Sequence, residues 1–138
     1  MPQANNNAAQ EGQAYLAKNQ ALPGVTVTSS GLQFQVLRPG KGPSPTLRDS
    51  VKVHYEGTLV DGTKFDSSYD RDEPIVFPVS GVIEGWVEGL QLMNLGSRFR
   101  FVIPSDLAYG EGGAGEDIGP NEVLVFEVEL LEIKGRKG

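Results

Sequence analysis

VIEGWVEGLQLM, residues 82–93, is the stretch on which the reading of the fold turns. Trp86, Leu90 and Met93 recur at i, i+4 and i+7, which puts them on one face of a helix. Gly85 and Gly89 interrupt that helix, each costing about 1 kcal/mol relative to alanine. The stretch also carries the only tryptophan of the chain. A short, twice-weakened helix with the largest side chain is either core filler or the wall of a binding site.

Outward from this helix the period changes to two. In LQFQV, Leu32, Phe34 and Val36 alternate with glutamines, and in SVKVHYEG, Val51, Val53 and Tyr55 alternate with Lys52, His54 and Glu56. Beyond the helix, SRFRFVI alternates Phe99, Phe101 and Ile103 with Arg98 and Arg100. VLVFEVELLEI sets Leu124, Phe126, Val128 and Leu130 against Glu127 and Glu129. Such alternation marks antiparallel strands with one dry and one wet face. FPV at 77–79 adds a short strand, which Pro78 assigns to an edge. A dry face needs a cover, and residues 82–93 are the strong helix candidate after residue 30. The expected fold is α+β, a curved antiparallel sheet of about five strands wrapped around one short helix.

Residues 1–30 differ in composition. They are rich in Ala, Gln and Asn, the second half reads as helix, and Pro23-Gly24 stops it. We read them as a polar lead, frayed or the remnant of a linker helix, before a domain spanning 31–138. Two connections stand out: residues 60–74, with an Asp-Gly turn and Phe65, and the long loop 104–122, with Tyr109 and Ile118. Long loops in compact domains tend to carry function.

Composition removes several chemistries. The 138 residues contain no cysteine and one histidine, which leaves no disulfide, thiol nucleophile or His-rich metal site. A formal net charge of −6 argues against nucleic acid as a partner. No apolar run reaches the roughly 20 residues of a membrane span. The opening MPQANNNAAQ has neither the basic start nor the apolar stretch of a signal peptide.

The motifs that formally match other chemistries lack their context. GEGGAG at 110–115 has the spacing of a dinucleotide loop, but EDIGP follows it and no helix opens there. His54 reads as a structural or surface residue. The pairs Asp70/Asp72 and Glu84/Glu88 read as solvated neighbours. Six aromatics from separate segments remain: Tyr55, Phe65, Phe77, Trp86, Tyr109 and Phe126. They form either core or an aromatic cup, to which Asp66 and the tyrosine hydroxyls would add polar contacts.

Four blocks carry a resemblance: VKVHYEGTLVDGTKFDSS, VIEGWVEGLQLM, DLAYGEGGAG and LVFEVELLEI. In this order, over about three quarters of the chain, they resemble an FKBP-type peptidyl-prolyl cis-trans isomerase. DSS, GLQLM, IGPNE and the LPGV…SGLQ lead-in are similar to the bacterial macrophage-infectivity-potentiator subgroup. The resemblance implies a rotamase that turns X-Pro bonds and assists protein folding, with no metal or cofactor. It assigns catalytic roles to Tyr55, Asp66 and Tyr109. Phe65, Phe77, Val82, Ile83 and Trp86 would bind substrate, with Ile118 and Phe126. Trp86 would floor the site under the proline ring, the Ile83 N–H and Tyr109 hydroxyl would bind carbonyls, and Arg71 would support Asp66. The chain departs from common family patterns at Ile75, Ala114 and Gly119-Pro120.

The implied partners are proline-containing peptides, unfolded proteins and rapamycin-like macrolides. The expected state of this form is a monomer, in a bacterial cell envelope or periplasm, or in the cytoplasm. The same residues also allow a non-catalytic binding or chaperone module, or a carbohydrate binder.

Overall fold

Alternation along SVKVHYEGTL becomes the longest inward-outward pattern of the sheet: Val51, Val53 and Tyr55 are buried, while Lys52, His54 and Glu56 are half-buried on the other face. The computed structural model describes residues 3–115 and 118–134. Its elements are α1 (Gln3–Gln20), β1 (Val25–Val27), β2 (Gln33–Arg38), β3 (Ser50–Leu59), β4 (Lys64–Ser67), β5 (Ile75–Pro78), α2 (Glu84–Leu92), β6 (Arg98–Ile103) and β7 (Leu124–Lys134). The strands form one antiparallel sheet in the order β1-β2-β6-β7-β3-β4. β5 pairs with β3 over Ser50–Val53, on the side that β4 occupies further along.

The sheet has seven strands rather than about five. The two additions are short. β1 lies in the segment read as a polar lead, where three residues are too few for an alternation to register. β4 lies in the 60–74 connection. Its turn is built by Gly62, at φ +92°, and by Asp61, whose Oδ1 accepts the Thr63 N–H at 2.9 Å. This Asp-Gly turn closes a hairpin, so Phe65 stands on a strand, not in a loop.

The concave face is dry. Leu32 just before β2, Val53 on β3, and Leu124, Val128 and Leu130 on β7 lie within 1% of full burial, and α2 covers them with Trp86, Leu90 and its C-terminal neighbour Met93. The helix lies very close to β6. A Cβ on Gly85 would stand 2.6 Å from Ile103 Cγ2, and one on Gly89 would stand 2.7 Å from Phe101 Cε1. The two glycines that weaken the helix are what let it approach the sheet.

The outer face is also partly covered. α1 is helical from Gln3, earlier than the second half alone, and its C-terminal part docks on β2, β6 and the approach to β7. Tyr15 and Leu16 pack on Val102, Val123 and Val125. Asn19 Nδ2 donates to Gln33 Oε1 at 2.8 Å and its Oδ1 accepts from Arg100 Nη1 at 3.0 Å, while Arg100 also bonds the Tyr15 hydroxyl. Gln33 Nε2 donates to the Leu16 carbonyl at 3.1 Å. Buried polar groups of this kind are kept because each has a partner.

Candidate active site

β3, β4, β5, β7, the start of α2 and the loop after β6 each send side chains to one cavity of about 500 Å³. Its wall contains nine of the residues singled out above: Tyr55, Phe65, Asp66, Phe77, Val82, Ile83, Trp86, Tyr109 and Phe126. Gly81 is the tenth.

Trp86 is held from three sides by rings that stand nearly perpendicular to it. Phe126, Tyr55 and Phe77 have centroids 5.2, 5.3 and 5.4 Å from the indole at interplanar angles of 80–85°. Phe65 stands edge-on to Phe126 at 5.6 Å and 89°. Edge-to-face pairs of this kind lock ring orientations beyond what area burial provides. The indole Nε1–H is buried without a hydrogen-bond partner among the described residues.

One polar arm enters this aromatic wall. The Tyr55 hydroxyl donates to Asp66 Oδ2, and Arg71 Nη1 donates to Asp66 Oδ1 at 2.6 Å. Burial pushes the Asp66 carboxyl up, but hydrogen bonds from Arg71 and Tyr55 and the Arg71 charge outweigh it, so its pKa lies below 3.8. Burial, and then the bond to Asp66, push the Tyr55 hydroxyl above 10.0. Asp66 is therefore a carboxylate and Tyr55 a phenol throughout the neutral range.

The arm is braced from behind. Ser68 Oγ accepts the Tyr55 N–H at 2.7 Å and lies 2.8 Å from His54 Nδ1. Tyr69 stacks on His54 at 4.6 Å and donates to Glu129 at 3.0 Å. His54 thus ties β3 to Ser68, in the segment between Asp66 on β4 and Arg71 on the turn that follows.

At the rim, Ile83 is the N-cap of α2, and its carbonyl accepts the Trp86 and Val87 N–H groups. Its own N–H donates to nothing among the described residues, and the half-exposed Tyr109 hydroxyl likewise has no partner there. These are two free donors beside an apolar cavity. No group of three or more His, Cys, Asp or Glu side chains among the described residues is arranged to hold a metal.

Residues 42–131 match the family profile described as FKBP-type peptidyl-prolyl cis-trans isomerase. The chain belongs to that family. Residues 1–36 match the domain described as amino-terminal to FKBP-type peptidyl-prolyl isomerase. The FKBP-type peptidyl-prolyl cis-trans isomerase FkpA of Aeromonas hydrophila is 60% identical over 124 residues, covering 90% of this chain and 46% of that protein. The outer membrane protein MIP of Legionella longbeachae is 47% identical over 124 residues, covering 90% and 53%. A crystal structure of a peptidyl-prolyl cis-trans isomerase from Pseudomonas syringae pv. tomato superposes with a TM-score of 0.87 at 40% identity, covering 97% of both chains. The chain spans about half the length of these two curated relatives.

Within this FKBP-type cup, Ile118 stands apart from the other candidates. It is buried at 7% exposure in the core below, and its backbone pairs with Ala114 across the loop, outside the cavity wall. Arg71 lies outside the cavity wall and acts on two residues of it, bonding Asp66 and interacting with the Tyr55 hydroxyl. Two positions escaped the sequence reading. Gly81 lines the rim. Gly57 lies beneath the rings, where a Cβ would stand 2.6 Å from Phe65 Cζ and 2.7 Å from Phe126 Cε1. The signal for Gly57 was there to be read, since a lone glycine inside an alternating strand marks a close approach.

Proposed function

We propose that this chain accelerates cis/trans rotation about X-Pro peptide bonds and so assists the folding of proline-containing chains. The observation that carries the proposal is the Trp86-floored aromatic cavity with its Tyr55–Asp66–Arg71 arm and two unpartnered donors.

Rotation about an amide is opposed by about 18–20 kcal/mol because resonance gives the C–N bond double-bond character. Twisting the bond breaks the resonance and returns charge from oxygen to nitrogen. The twisted amide is therefore less dipolar than the planar one. A dry aromatic wall disfavours the planar ground state more than the transition state, and only such a difference speeds the reaction. The Ile83 N–H and Tyr109 hydroxyl would hold carbonyls on either side of the turning bond, and Tyr55, aimed by Asp66, would set the third contact. Positioning and desolvation together have to supply about 8 kcal/mol for a millionfold gain.

The test is cis/trans exchange of a proline tetrapeptide, with a chelator present and absent. Turnover should be equal in both. Rapamycin-like macrolides should occupy the same cup, inhibit this turnover and change Trp86 fluorescence saturably. Peptide binding without turnover would favour a non-catalytic binding module. Carbohydrate binding, in turn, predicts no response of Trp86 to proline peptides.

The ionisation states make a further prediction. Asp66, with its pKa lowered in the fold, stabilises above its unfolded value and loses that contribution as pH falls through the folded one. Tyr55, with its pKa raised, stabilises below its unfolded value and loses that contribution as pH rises through the folded one. Neither window touches neutrality, so kcat/KM should stay flat from about pH 5 to about pH 9. A bell-shaped profile inside that range would reveal an acid or base that this mechanism omits.

We also propose that residues 1–22 serve as a support rather than as part of the catalytic domain, in a chain that is monomeric in this form. The α1 contacts lie on the outer face of the sheet, opposite the cup. Deleting residues 1–22 should lower the melting temperature and expose Val102 and Val125, yet leave kcat/KM on a short peptide within about tenfold. A greater loss would mean that α1 shapes the cavity through the sheet, and sedimentation of both forms would check the monomer. For location we favour the bacterial cell envelope, because the Legionella relative is named as an outer membrane protein. A fusion to a periplasm-only reporter would test this.

A further inference from the structure

Seven of the ten residues lining the cup come from two segments, 64–84 and 104–115. The first carries Asp66, Asp70, Asp72, Glu73 and Glu84, and the second carries Asp106 and Glu111. Against these seven carboxylates stand two cations, Lys64 and Arg71, giving a net of −5 where the whole chain carries −6. Almost all of the formal charge imbalance thus lies in the segments that frame the cavity. Both cations are already paired with carboxylates of their own segment. Lys64 Nζ is 2.9 Å from Asp70, and Arg71 is 2.6 Å from Asp66. Glu84 directly follows the cavity residue Ile83, and Asp106 and Glu111 bracket Tyr109; all three side chains are exposed.

We infer that the cup selects proline-containing chains with Lys or Arg beside the proline and discriminates against those with Asp or Glu there. This inference rests on the isomerase reading of the same site and names its substrate class. The apolar wall recognises the proline ring and has no means of reading charge. Its surroundings do. Carboxylates of one sign around a low-dielectric cleft concentrate field lines there and raise the encounter rate of cationic chains. Each exposed pair contributes little alone, so the effect is a summed one that salt should screen.

The experiment compares three peptides that share one X-Pro bond and differ only in flanking Lys, Gln or Glu. At about 20 mM salt, where screening is weak, kcat/KM for the Lys peptide should exceed that for the Glu peptide by about tenfold. At about 500 mM the ratio should fall below about twofold. The combined variant Glu84→Gln, Asp106→Asn and Glu111→Gln should shrink the low-salt ratio at least about threefold and leave the Gln peptide unchanged. A Lys-to-Glu ratio near one at low salt overturns the inference, as does a ratio indifferent to both salt and the variant. If no peptide is turned over, the isomerase reading fails on its own. Titrating Trp86 fluorescence with the same three peptides then still reads the charge preference, because binding requires no turnover.

Discussion

Trp86→Ala is expected to lower both the melting temperature and peptide binding, whereas Asp66→Ala should spare the fold and lower turnover. Trp86 is 5% exposed and touches the buried core rings of Tyr55 and Phe126 and the partly buried ring of Phe77, so its loss opens a cavity under the whole cup. Truncating a large buried aromatic costs about 3–5 kcal/mol. The lower end applies here, because alanine also removes an indole N–H that has no partner. Asp66 is different. It is partly exposed at the rim and its bonds run to Tyr55 and to a half-exposed Arg71. Without its carboxylate the Tyr55 hydroxyl loses its aim, and a misdirected contact at a reacting bond can cost about a hundredfold. Thermal melting and kcat/KM measured on both variants separate the two effects. Full turnover in Asp66→Ala would mean that the cup works by desolvation alone.

Gly89→Ala should destabilise the protein, although helix propensity alone predicts a gain of about 1 kcal/mol. The new methyl would stand 2.7 Å from the Phe101 ring, inside van der Waals contact, and Phe101 is itself 1% exposed and has no space to retreat. Overpacking of this sort costs about 1–3 kcal/mol. Gly85→Ala faces the same obstacle at Ile103 Cγ2, 2.6 Å away. Both variants should also perturb the cup, since Trp86 moves with the helix. An increase in melting temperature for either would mean that α2 does not sit as close to β6 as described.

These glycines mark the border of what periodicity reveals. The alternation in β3, β6 and β7 and the i, i+4, i+7 face of α2 are properties of single segments, and each reappears in the fold. The cup could be named from the motif resemblance. The alternation alone left core and cavity equally open, because Tyr55 and Phe126 share their strand faces with core aliphatics. Gly57, Gly81, Gly85 and Gly89 matter through what stands opposite them, and no single segment contains that information. The docking of α1 was hidden for the same reason. Its partners Gln33, Arg100 and Val123 are scattered along the chain, and its own residues show little beyond polar composition.

The order of the sheet has a consequence for synthesis. β7 lies in the middle of the sheet, between β6 and β3, yet it is the last of the described strands to be made. Until residues 124–134 leave the ribosome, β1-β2-β6 and β3-β4-β5 are two half-sheets with no hydrogen bonds between them. Each presents an open edge where β7 will insert, and Ser50 has to wait for Lys134. Pairings this distant along the chain are the slow ones, closing over roughly milliseconds to seconds. The sheet therefore closes only once β7 is available, after every other described strand has been made. A chain that we propose helps others to fold would acquire its own cup only when β7, with Phe126, is threaded between the halves.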